Sequence, residues 1–300
     1  MKKLVFILML MHAVAFSQKI IPLYNGAIPL SKNAADQERT EVGTDGITRI
    51  FAISRPTLNV FLPTGINKPV PAVIICPGGG YHINAYSHEG TDVAKVFNSW
   101  GIAAFVLKYR IPDKAQMNHQ EIVPLLDAQQ AINVVRSQAA AFGVDPNKIG
   151  IMGFSAGGHL ASTAATHYKE PALDVLKGKN IRPDFQILIY PVISFQQEFG
   201  HLGSRDNLLG KDGPKSLVDK FSNELQVSQN TPPAFLVHAG DDDVVPVENA
   251  VRYYQLLNKN KVNAALHIYP SGGHGFGMNN PTTKDQWMES LRNWLEVITR

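Results

Sequence analysis

The chain has 300 residues, 44% of them hydrophobic and 18% charged, with a formal net charge of +3. That near balance, with no basic cluster, argues against nucleic acid or an anionic membrane as partner. Cys76 is the single cysteine, so no internal disulfide can form and stability must come from a packed core.

Met1-Lys2-Lys3 is a short positive segment, Leu4 to Phe16 is apolar, and Ala15-Phe16-Ser17 ends on small residues. This is the pattern of a signal peptide over residues 1–17, cleaved before Gln18. The apolar run is shorter than the roughly 20 residues that span a bilayer. The expected mature chain, residues 18–300, is therefore secreted or periplasmic, with no membrane attachment. Losing Lys2 and Lys3 would lower the net charge from +3 to +1.

Residues 18 to about 46 read as polar and irregular. Strands are expected at Thr57–Leu62, Val73–Cys76, Ile102–Leu107, Ile149–Met152, Phe185–Tyr190, Ala234–His238 and Ala264–Tyr269. Helices are expected at Ser87–Trp100, Ile122–Ala141, Ala156–His167, Val247–Leu257 and Asp285–Ile298. Most of these strands are continuously apolar, as strands buried on both faces are, and they alternate with helices. The pattern implies an α/β fold with a mostly parallel sheet between two helical layers. Residues 191–233 have the weakest periodicity and several glycines, and read as an excursion off the sheet, a candidate cap or lid. Cys76 reads as a buried strand residue.

Gly153-Phe154-Ser155-Ala156-Gly157 sits between an expected strand and an expected helix, the context in which G-x-S-x-G forms a nucleophile elbow. A serine hydroxyl needs a neutral imidazole as base, and the imidazole needs a carboxylate to hold its tautomer. Both follow in the expected chain order. Asp241-Asp242-Asp243 comes after the strand ending at His238, and His274 lies in a glycine-rich loop after the strand ending at Tyr269. Spacing from His238 and from Pro246 selects Asp242, with Asp243 as the alternative and Asp241 as a turn former. No His or Glu stands at metal-ligand spacing beside the acids, so no metal is expected. Gly78-Gly79-Gly80, directly after the Val73–Cys76 strand, suits an oxyanion hole, with donors from Gly79, Gly80 and Ala156. No phosphate-cradling glycine motif follows, and no cofactor is expected. His159, on the helix after the elbow, reads as a local hydrogen-bonding residue.

These motifs together resemble the α/β-hydrolases. More narrowly, Cys76-Pro77-Gly78-Gly79-Gly80-Tyr81 with His88-Glu89-Gly90 is similar to the secreted bacterial carbohydrate-esterase branch, the acetylxylan esterase and feruloyl-esterase-like group related to hormone-sensitive-lipase-like esterases. The lipase relatives carry His where this chain has Pro77. The resemblance implies removal of acetyl or feruloyl groups from plant polysaccharide fragments through a Ser155–His274–Asp242 triad. Tyr81, Glu89 and Tyr109-Arg110 are candidates for contacting substrate or for backing the residues that do, with packing or an ion pair as the other reading. Competing readings are a serine peptidase of the prolyl-oligopeptidase type, a lipase or general carboxylesterase, a non-catalytic binding module and a glycosidase. The stretch before Thr57 is too short for the extra domain such peptidases carry. A binding module would lack Ser or His, and no obvious carboxylate pair suits a glycosidase.

Overall fold

Alternate side chains of strand Val70–Cys76 enter two separate hydrophobic clusters: Val70, Ala72, Ile74 and Cys76 join one, Val73 and Ile75 the other. A strand with core on both faces has no polar positions to alternate with, which accounts for its unbroken apolar run. The computed structural model describes residues 17–300. The expected signal peptide lies outside the described residues, apart from Ser17.

In chain order the strands are β1 (Ser17–Pro22), β2 (Arg39–Val42), β3 (Thr48–Phe51), β4 (Thr57–Leu62), β5 (Val70–Cys76), β6 (Ile83–Ala85), β7 (Ala103–Lys108), β8 (Val144–Phe154), β9 (Gln186–Ile189), β10 (Ala234–Ala239) and β11 (Ala264–Tyr269). The helices are α1 (Asp92–Ser99), α2 (Val123–Ser137), α3 (Ala139–Phe142), α4 (Ser155–Thr166), α5 (Leu202–Leu209), α6 (Lys215–Lys220), α7 (Glu248–Lys259) and α8 (Trp287–Ile298). A π-helical turn, Ser87–Thr91, leads into α1.

The main sheet has eight strands in the order β1-β4-β7-β5-β8-β9-β10-β11. From β7 to β11 every pairing is parallel, and β1–β4–β7 is an antiparallel edge. One face packs against α2, α4 and α7 through Leu125, Leu160 and Tyr253; the other packs against α1 and α8 through Phe97 and Trp287. Helix α2 starts with Pro124 in its first turn, and α3 stops at Gly143, whose φ of +67° suits a helix end. Strands β2, β3 and β6 form a second, antiparallel sheet.

One expectation needs correction. Residues 18–46 are not irregular throughout: they include part of β1 and all of β2. β1 pairs with β4 over its whole length, through backbone hydrogen bonds that need no apolar pattern, and Ile20 on it is exposed. The 191–233 excursion carries α5 and α6 and is tied down. Val192, Ile193, Phe195 and Phe221 are buried, and Asn223 donates to the His159 carbonyl and to the hydroxyls of Ser162 and Thr163 on α4.

Candidate active site

Ser155 occupies the sharp turn between β8 and α4 with φ of +49°, a left-handed conformation that few non-glycine residues adopt. The flanking glycines are required for space. A Cβ on Gly153 would collide with the Gly157 carbonyl, and a Cβ on Gly157 would collide with the Cys76 carbonyl. The strain therefore sits on the serine, and the glycines let β5 and α4 close around it.

The three expected residues form one hydrogen-bonded chain. His274 Nε2 lies 2.9 Å from Ser155 Oγ, and Nδ1 lies 2.7 Å from Asp242 Oδ2. A carboxylate only accepts, so Nδ1 carries the proton and the Nε2 lone pair faces the hydroxyl. The other Asp242 oxygen accepts from Val244 N–H at 3.0 Å and Val245 N–H at 2.8 Å. Burial pushes the Asp242 carboxyl up, but hydrogen bonds from His238, His274 and Val245 outweigh it and hold the group below the usual carboxylate range. Asp243 is exposed. Asp241 does not close its own turn; its carboxylate accepts from Gly273 N–H at 2.8 Å and so anchors the loop that carries His274.

The glycine triplet, the expected oxyanion loop, follows β5. The carbonyls of Pro77, Gly78, Gly79 and Gly80 accept from Tyr109 Oη, Ala85 N, His82 N and Asn207 Nδ2, at 2.7, 3.0, 2.9 and 2.8 Å. In a trans peptide the N–H points opposite its carbonyl, so fixing the Gly78 and Gly79 carbonyls toward β6 turns the Gly79 and Gly80 N–H groups the other way. Ala156 N–H stands in the first turn of α4, where no intrahelical acceptor exists. Gly79 has φ of +125°, and a Cβ there would strike Ile83.

Tyr81 and Glu89 are not substrate contacts: both side chains are buried behind the site. Tyr81 Oη pairs with His159 Nδ1 at 2.9 Å, while His159 Nε2 pairs with the Phe221 carbonyl at 2.7 Å. Burial lowers the His159 pKa to about 3, so it is a neutral strut between α4 and the excursion. Glu89 accepts from Gly78 N–H and from Tyr190 Oη, each at 2.8 Å. Arg110 is fully buried in a fork with Asp127, which makes it the structural ion pair. Burial pushes the Cys76 thiol up, in keeping with a strand residue of the core.

Two participants escaped sequence reasoning. His238 served there only as a strand-end marker, yet its Nε2 lies 2.9 Å from the Val245 carbonyl and 3.2 Å from Asp242 Oδ2. Tyr190, one residue past β9, sets its ring edge-on to His274 with centroids 5.0 Å apart. A histidine four residues before the acid was a usable signal for the first; nothing local marks the second. Among the described residues, no three His, Cys, Asp or Glu side chains cluster to hold a metal ion, and no helix is long and apolar enough to cross a membrane.

A family model described as BD-FAE matches residues 58–257. The acetylxylan esterase of Xylanibacter ruminicola is 39% identical over 243 residues, 79% of this chain and 47% of that protein. Endo-1,4-beta-xylanase B of Butyrivibrio fibrisolvens is 36% identical over 222 residues, 72% of this chain and 34% of that protein. The chain thus spans half or less of the length of these two curated relatives. Among solved structures, the acetyl ester-xyloside bifunctional hydrolase from Caldicellulosiruptor lactoaceticus superposes with a TM-score of 0.79 at 39% identity, covering 94% of this chain and 96% of that one. The fold, the strained serine turn and the extent of the family match lead to one assignment: the chain belongs to the BD-FAE family of α/β-hydrolases.

Proposed function

We propose that this chain is a serine esterase that removes O-acetyl groups from xylan or related saccharides. The observation that carries the reading is the hydrogen-bonded chain Ser155–His274–Asp242. The saccharide ester is supported by the names of the relatives, which include an acetylxylan esterase and an acetyl ester-xyloside hydrolase.

In this reading Ser155 Oγ attacks the ester carbonyl carbon while His274 Nε2 takes its proton. The carbonyl electron pair moves onto oxygen, where Gly79, Gly80 and Ala156 N–H groups stabilise it. Collapse expels the sugar alcohol, which leaves with the proton from His274. The acyl group stays on Ser155 until His274 deprotonates a water that attacks it, freeing acetate and returning the proton to Ser155. Asp242 holds the imidazole orientation and stabilises its charged form. The excursion bearing α5 acts as a cap in this scheme, supported by the Asn207 contact to Gly80.

The test is turnover of p-nitrophenyl acetate and release of acetate from acetylated xylan. Ser155→Ala should lose about 10⁴-fold or more in kcat. Undiminished turnover in that variant, or an inactive wild type, would overturn the proposal. Dipeptide amides cleaved in place of acetyl esters would indicate the peptidase, and a preference for long acyl chains the lipase. Reducing sugar released from deacetylated xylan would indicate a glycosidase. Secretion or periplasmic location rests on Met1–Ser17, and a native protein beginning at Gln18 would support it.

A further inference from the structure

The oxyanion loop and the histidine loop come from opposite ends of the chain, and one buried carboxyl joins them. Glu89, on the π-helical turn, is 5% exposed. Its Oε2 accepts from Gly78 N–H at 2.8 Å, and its Oε1 accepts from Tyr190 Oη at 2.8 Å. Tyr190 Oη in turn accepts from Gly277 N–H at 2.9 Å, three residues past His274. His88 adds a parallel tie, with Nε2 at 3.0 Å from the Gly275 carbonyl. The network lies against the nucleophile, because a Cβ on Gly78 would meet both Glu89 Oε2 and Ser155 Cβ.

We propose that Glu89 is a positioning residue for the reaction, holding the oxyanion loop and the His274 loop in register through Gly78 and Tyr190. It touches no substrate atom. Occupying Gly78 N–H fixes the first peptide of the glycine triplet, so only the Gly79 and Gly80 donors turn toward the reacting carbonyl. Holding Tyr190 fixes the ring that packs against the His274 imidazole. The proposal rests on the esterase reading and deepens it.

Glu89 also has an electrostatic consequence. Burial raises its pKa above the ordinary glutamate value, while the hydrogen bonds from Tyr190 and Gly78 favour the charged form and oppose that rise. The other titratable groups around His274 and its partners are Asp242 and Asp241 after β10, His238 on β10, His88 on the π-helical turn, Tyr190 after β9 and His201 ahead of α5. Only Glu89 and Asp242 in this group are both acidic and buried.

The test is Glu89→Gln, which keeps the shape but not the charge. With acetyl ester substrate, kcat should fall on the order of 10- to 100-fold with KM little changed. A merely structural role would lower Tm and leave kcat of the folded variant at the wild-type value. Tyr190→Phe removes the shared hydroxyl without changing charge, so it should lower kcat as well. If the two residues act as one unit, the double variant should lose no more than the larger single loss. Wild-type kcat in folded Glu89→Gln would overturn the proposal. Should Glu89→Gln fail to fold, Tyr190→Phe with unchanged kcat would do so. An inactive wild type would instead remove the esterase reading itself.

Discussion

The Ser155 turn and the histidine loop are both rich in glycine, and for different reasons. At the turn, Gly153 and Gly157 lie outside the left-handed region, and a Cβ on either would overlap a backbone carbonyl. In the histidine loop, Gly273 and Gly275 have φ of +62° and +81°, and a Cβ on either would meet nothing within 4 Å. The first pair is required by contact, the second by conformation. A backbone collision between β5 and α4 has no soft coordinate to relax along, whereas a left-handed alanine costs roughly 1–2 kcal/mol. Glycine enrichment alone does not reveal how much a site tolerates.

The comparison can be broken at its strongest point with Gly157→Ala. Loss of folded protein is expected, read by circular dichroism and soluble yield, and a folded, active variant would remove the contact argument. The next effect is catalytic: Asp242→Asn should lower kcat by about 10³- to 10⁴-fold, while Asp243→Asn, at an exposed position, should stay within roughly twofold of wild type. Equal losses in the two variants would show that the acid has been misassigned.

A third effect separates the two regions by pH. His159 braces α4, which carries the nucleophile, and its folded pKa of about 3 lies below the ordinary histidine value of about 6.5. The unfolded chain therefore binds the proton more readily. Stability from the neutral buried ring is present above about pH 6.5 and is lost as the pH falls toward 3. Chemical denaturation across that window should show the loss, and His159→Gln should flatten it. A variant with unchanged pH dependence would count against this account.

The smallest effect belongs to the loop. Gly275→Ala should cost roughly 1–2 kcal/mol of stability, seen as a Tm lower by a few degrees. Measurable turnover should remain, since the added methyl meets open space. A collapse like that of Gly157→Ala would erase the distinction between the two regions.

Most of the sheet was legible because strands β5, β7, β9 and β10 and the 149–154 part of β8 are buried on both faces and leave a signal independent of their neighbours. β1 and β2 were not: Arg39–Val42 is exposed throughout, and β1 is held at the edge by backbone pairing to β4. Ser155, Asp242 and His274 were legible because each follows a strand at a recognisable spacing. For Tyr81 and Glu89 the choice between substrate contact and packing stayed open, because their nearness in sequence to the glycine triplet says nothing of side-chain direction. Tyr81 has φ of +58° and turns inward onto His159, and Glu89 turns under Gly78. The 191–233 excursion lacks periodicity because its order comes from polar ties such as Asn223 to α4, which leave no pattern along the chain.

The sequence by itself determined which groups are present and on which strand ends they stand. Strand and helix patterns are local, and in an α/β fold the chain order of nucleophile, acid and base follows the order of the strands. Only the tertiary structure decided that Asp241 ties down the histidine loop, and that Glu89, Tyr190 and His238 pack behind Ser155, Asp242 and His274. Apart from His238 and Asp242, which stand four residues apart, those contacts join segments far apart in the chain. Hydrogen bonds depend on ångström-scale direction, and no spacing along the sequence encodes that.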